Sequence, residues 1–125
     1  MLTDTRAYSG FAVGDFAAAR TFYAETLGLR VTVLAEDVLM QLDLAGGRDT
    51  LIYPKEDHVP AVFTILNFVV DDIEAAVDGL AARGVTFERY DGFDQDERGI
   101  VAGTGGPHIA WFKDPAGNVL SVTKA

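Results

Sequence analysis

Histidines and carboxylates are the side chains here that could run acid–base or metal chemistry near neutral pH, and the 125 residues hold two His against 19 Asp and Glu. There is no cysteine, which removes thiolate nucleophiles, disulfides and sulfur ligation of zinc or iron–sulfur clusters. A non-haem iron triad would need both His58 and His108 to converge with a carboxylate. An acid–base pair could be built from His58 or His108 with Glu56 or Glu97. His58 stands beside Asp57 and before Val59-Pro60, where it reads as a solvated linker residue. His108 follows Gly105-Gly106-Pro107 at a strand start, a place at the mouth of a cleft if one exists. The stretch Tyr90 to Pro107 is long, glycine-rich and charged, with Asp91, Asp94, Asp96, Glu97 and Arg98 close together. Either Tyr90, Phe93 and Arg98 close over a ligand, or the loop is solvated and Arg98 neutralises its acidic neighbours.

The elements that must position these residues come as a repeat. Phe11-Ala12-Val13-Gly14-Asp15-Phe16-Ala17-Ala18-Ala19 matches in pattern Phe68-Val69-Val70-Asp71-Asp72-Ile73-Glu74-Ala75-Ala76. In both, an apolar strand meets an Asp, Asp15 or Asp72, whose carboxylate can cap the free N–H groups of a following helix. Apolar residues then recur at helical spacing: Phe16, Ala19, Phe22, Tyr23 and Leu27 in one copy, Ile73, Ala76, Val77 and Leu80 in the other. Gly28 and Gly84 close the helices, and strand-like runs follow at Leu29 to Leu34 and Val85 to Glu88.

Further strands are predicted at Val38 to Leu44, Thr50 to Tyr53, Ile109 to Lys113 and Asn118 to Thr123. Ala45-Gly46-Gly47 and Asp114-Pro115-Ala116-Gly117-Asn118 supply the tight turns of two hairpins. Pro54 to Pro60 is a polar, proline-bounded linker, so one βαβββ module covers residues 1–59 and a second 60–125.

About half the residues are apolar, enough for one sizeable core and too few for two ordinary independent domains. The net charge of −9, with no cluster of Lys or Arg, would repel a phosphate backbone, so nucleic acid is not an expected partner. No run of eighteen uncharged apolar residues occurs, and Met1 to Val13 shows no signal-peptide pattern, so a soluble cytoplasmic protein without a membrane partner is expected.

With two βαβββ modules, the chain resembles the vicinal oxygen chelate superfamily: glyoxalase I, extradiol dioxygenases, fosfomycin-resistance enzymes and bleomycin-resistance proteins. The resemblance is carried by Asp15 to Leu29, with Phe22-Tyr23 and Leu27-Gly28-Leu29, by Phe68 to Ala76, and by Ile109 to Val119. It implies an α+β fold in which two curved sheets form an open cleft, with one metal ligand on each of four strands in the metal enzymes. The first family ligand precedes the capping Asp by seven residues, which falls on Tyr8, and the repeat carries that place to Ile65. The usual Glu after the Asp-Pro-x-Gly-Asn turn falls on Ser121, and its counterpart within Thr50 to Ile52 falls most naturally on Thr50. None of these is a usual ligand, so no metal and no other cofactor is expected there.

What the resemblance then leaves is an apolar cleft with a few polar groups. Alternation along the strands gives Ile65 the company of Phe63 and Asn67, and Ser121 that of Val119 and Thr123. Tyr8, Phe63, Ile65, Asn67, Trp111 and Ser121, with Arg98 and His108 nearer the rim, are the candidate ligand-binding residues. Asn67 stands out, because an amide within an apolar strand must find a partner. The leading function is metal-free sequestration of a small apolar or aromatic molecule, in a homodimer of the bleomycin-resistance kind. The alternative is a glyoxalase-like lyase or dioxygenase-like enzyme using a relocated metal or acid–base site.

Overall fold

The computed structural model describes residues 1–102 and 106–124. Gly103, Thr104 and Gly105, part of the predicted loop from Tyr90 to Pro107 and of the run before His108, therefore lie outside the described residues. The chain divides into two compact units, Met1–His58 and Val59–Ala125.

In the first unit β1 (Ser9–Val13) leads into α1 (Phe16–Thr21), which widens into a π-helical turn (Phe22–Thr26) before β2 (Val31–Ala35), β3 (Leu39–Leu42) and β4 (Thr50–Pro54). The sheet order is β1-β4-β3-β2, with β1 parallel to β4 and the other pairs antiparallel. Asp15 has extended backbone and accepts from Ala18 N at 3.0 Å, the capping bond expected of it. At the far end Leu27 N reaches Phe22 O and Leu29 N reaches Tyr23 O, and Gly28 takes φ 69° to turn the chain out. The wider turn carries fully buried Tyr23, whose ring lies 5.9 Å from Phe11 and 5.2 Å from Phe22. Val13, Met40, Leu42 and Ile52 complete that core.

In the second unit β5 (Thr64–Val69) leads into α2 (Ile73–Ala82), and after a long connection come β6 (His108–Lys113) and β7 (Val119–Lys124). The order is β5-β7-β6, with β5 parallel to β7 and β6 antiparallel to it. Asp72 accepts from Ala75 N at 3.0 Å. Gly84 at φ 92° closes α2, with Val85 N on Leu80 O. The helix packs on β6 and β7 through Ile73 and Val77, over buried Ala110, Phe112, Leu120 and Val122.

The predicted strand at Val85 to Glu88 is corrected by the structure. Phe87 forms only an isolated bridge to Phe112, extended by Glu88 N on Trp111 O at 2.8 Å. The chain leaves the edge of β6 at that point because the Gln95 side chain gathers the next segment. Its Nε2 donates to Glu88 O and Gly99 O, and its Oε1 accepts from Tyr90 N.

The turn between β6 and β7 is a side-chain knot. Buried Asp114 accepts from the backbone N–H groups of Ala116 and Asn118 through Oδ1 and from Asn118 Nδ2 through Oδ2, while Gly117 takes φ 87°.

Candidate functional site

Each sheet has one face on the side of its own helix and one face turned away from it, and cross-strand register sorts the residues between them. In the second unit Leu66, Leu120 and Phe112 form one row on the α2 side, and Phe68, Val122 and Ala110 form the next. Asn67, Ser121 and Trp111 form a row on the opposite face, followed by Val69, Thr123 and Ile109. Three candidates predicted from the sequence thus stand side by side on adjacent strands. Across this row Ser121 Oγ donates to Asn67 Oδ1 at 2.5 Å. Ser121 is 0% exposed, so its hydroxyl cannot turn to water, whereas Asn67 is exposed.

Beside the row lies a hollow of about 280 Å³ walled by Val62, Phe63, Thr64, Tyr90, Phe93, Trp111 and Val119. Trp111 holds its aromatic wall together, with Tyr90 at 5.4 Å and 76° and Phe93 at 5.0 Å and 55° between ring centroids and planes. Phe63 and Phe93 remain 67% and 53% exposed, a large apolar surface to leave in water. Tyr90 and Phe93 reach Trp111 because Gln95 ties their segment back to Glu88.

The other candidates fall elsewhere. Ile65 sits at a register irregularity between Thr64 and Leu66, where it has no cross-strand partner and is half-buried. Simple alternation from Ile65 therefore does not hold through β5, and Phe63 joins the hollow from just before the strand. Arg98 is drawn away to α2: its guanidinium pairs with Asp78 at 2.9 and 3.3 Å, on the helix side of the sheet, so closure of Arg98 over a ligand is not what the structure displays. His108 is exposed at the start of β6 and shares the alternation of Ala110 and Phe112, not of Trp111. His58 keeps a buried Nε2 with no hydrogen-bond partner.

In the first unit the face away from α1 carries Gly10, Leu51, Gln41 and Thr32 in register. A hollow of about 460 Å³ lies there, lined by Arg6, Ala7, Tyr8, Leu34, Gln41, Gly47, Asp49 and Leu51. Thr50 does not belong to that face. It is buried in the row of Ser9 and Leu42 and accepts from Ser9 Oγ at 2.7 Å, so Leu51 holds the position expected for Thr50. Gln41 Nε2 and Thr32 Oγ1 both donate to Asp43, and these bonds hold its carboxyl below the usual carboxylate value.

The sequence pattern describing the Glyoxalase/Bleomycin resistance protein/Dioxygenase superfamily matches residues 6–122. The chain belongs to that superfamily. Solved structures of glyoxalase type share its fold over nearly their whole length. A glyoxalase family protein from Enterococcus faecalis is 22% identical with a TM-score of 0.69, covering 98% of this chain and 99% of its own. Lactoylglutathione lyase from Agrobacterium tumefaciens is 20% identical at 0.68, over 98% and 94%. TnmS3, an antibiotic-binding protein from Streptomyces sp. CB03234, is 22% identical at 0.70, over 98% of each. No curated protein matches the chain.

Metal-dependent chemistry in this superfamily calls for His and carboxylate ligands, and the residues present do not fit one. Ile65 offers carbon only, Ser121 is engaged with Asn67, Leu51 takes the place on β4, and Tyr8 is an exposed phenol. Among the described residues no group of three or more His, Asp or Glu comes together that could hold a metal ion. Among them, too, no helix is long and apolar enough to cross a membrane.

Proposed function

We propose that this superfamily member binds and sequesters a flat, largely apolar small molecule without a metal, the second unit's hollow being the anchoring site. The observation that carries the reading is the exposed aromatic wall of Phe63, Phe93 and Trp111 beside the polar row of Asn67 and Ser121. Apolar walls with one or two placed polar groups are the usual make-up of a small-molecule site. The first unit's hollow is larger, but Arg6 and Asp49 make it charged, and part of its wall is the irregular segment ahead of β1. A fold shared with TnmS3 supports binding, and the same fold shared with a lyase keeps the choice resting on residues. Cytoplasmic location and a homodimer belong to the same proposal.

The test is calorimetric titration with a panel of aromatic compounds, together with metal analysis of protein purified without chelator. Saturable binding that Trp111→Ala weakens at least about tenfold, the loss of roughly 1.4 kcal/mol of contact, is expected. Stoichiometric Ni, Zn, Fe or Mn, or binding indifferent to Trp111→Ala, would overturn the reading.

A further inference from the structure

The bond between Ser121 and Asn67 fixes more than local geometry. A buried hydroxyl must donate, and the acceptor Ser121 has is Asn67 Oδ1. That bond takes one lone pair of the carbonyl oxygen and holds the oxygen against Ser121, so the edge of the amide turned away from Ser121, toward a ligand, is Nδ2 with its two N–H groups, a donor edge. An unrestrained amide could turn either edge outward and would welcome donors and acceptors alike. Ser121 removes that freedom. Trp111 pairs with the same Ser121 from the other side, so Asn67 and the indole stand two strand spacings apart, about 10 Å, on one face. That span suits a bicyclic ring lying beside Trp111 with a substituent reaching the amide.

Resting on the binding reading above, we infer that the site selects aryl compounds bearing an acceptor oxygen, such as an aryl ketone, ester or amide carbonyl, over donors of the same shape. Asn67 is the specificity-determining contact, and Ser121 is a positioning residue that sets which edge of the amide is presented.

The probes are 2-acetylnaphthalene, its oxygen-free isostere 2-isopropenylnaphthalene, and 2-aminonaphthalene, each titrated calorimetrically. Wild type should bind the ketone about five- to tenfold more tightly than the isostere, the size of one neutral hydrogen bond. Asn67→Asp keeps an acceptor for Ser121 but removes the N–H donors, so the ketone preference should vanish and the amine should become the best of the three. Ser121→Ala should shrink the ketone-to-amine ratio, a change of selectivity that a merely structural role would not produce. Should Ser121→Ala fail to fold, Asn67→Asp at its exposed position reads the same ratio. Equal binding of all three probes by wild type, with Trp111→Ala still weakening them, overturns the donor-edge inference and leaves the aromatic hollow standing. A ketone preference that persists in Asn67→Asp overturns it as well. No binding of any probe overturns the inference together with the reading beneath it.

Discussion

Replacing Asn67 by Leu separates what the amide does for a ligand from what it does for the fold. Asn67 is exposed, so exposure alone predicts a change neutral for stability. The bond to Ser121 predicts otherwise, because Leu leaves a fully buried hydroxyl without its acceptor. An unsatisfied buried polar group costs about 1 to 3 kcal/mol. For 125 residues the unfolding entropy is about 0.26 kcal/mol per degree, so the midpoint should fall by about 4 to 11 °C. Ser121→Ala combined with Asn67→Leu removes donor and acceptor together and should recover most of that loss. Thermal unfolding followed by fluorescence reads this directly, since Trp111 is the one tryptophan and lies in the same row. A single Asn67→Leu variant that melts with wild type, or a double variant no better than the single, would refute the coupling.

Further outcomes follow from the same geometry. Asp114→Ala should cost about 2 to 4 kcal/mol in denaturant unfolding, because it strips the acceptor from three hydrogen bonds in a buried turn. Gly99→Ala should cost about 1 to 2 kcal/mol, since φ is +90° and the added Cβ would meet Phe87 Cβ at 3.3 Å. Arg98→Ala should change stability by less than about 1 kcal/mol and leave ligand affinity as it is, its partner Asp78 being largely exposed on α2. Asp43 has its pKa lowered first by Gln41 and then by Thr32, so its contribution is present above the ordinary value of 3.8 and is lost as pH falls through the folded value. Acid unfolding of Asp43→Asn should lack that part of the pH dependence.

Where local chemistry determines the structure, the sequence was readable. Asp15 and Asp72 cap, Gly28 and Gly84 terminate, and the Asp114 to Asn118 turn closes a hairpin, each through bonds within a few residues. The same repeat pointed to the superfamily, and register put Asn67, Ser121 and Trp111 on one face. What stayed hidden depends on partners distant along the chain or on breaks in period. Asp78 is twenty residues from Arg98 and carries no mark of waiting for it. An irregularity at Ile65 cannot be seen in an apolar run whose two phases look alike, and the same ambiguity gave Thr50 the face that Leu51 occupies. Gln95, one amide bridging three backbone groups, sits in a stretch whose charges draw the eye to its neighbours.

That bridging amide divides the hollow into parts of unequal durability. Trp111 and Val119 belong to paired strands, whose replacement would disturb the sheet, whereas Tyr90 and Phe93 belong to a segment anchored chiefly through Gln95, Asp96 and Gly99. Residues 91–94 lie inside that anchorage and make no bond it depends on. The protein is therefore built like a fixed bench with an interchangeable jaw: new tastes in ligand can be engineered, or selected, by rewriting Asp91, Phe93 and Asp94, with Gly92 kept for its φ of 91°, while the strands beneath stay as they are.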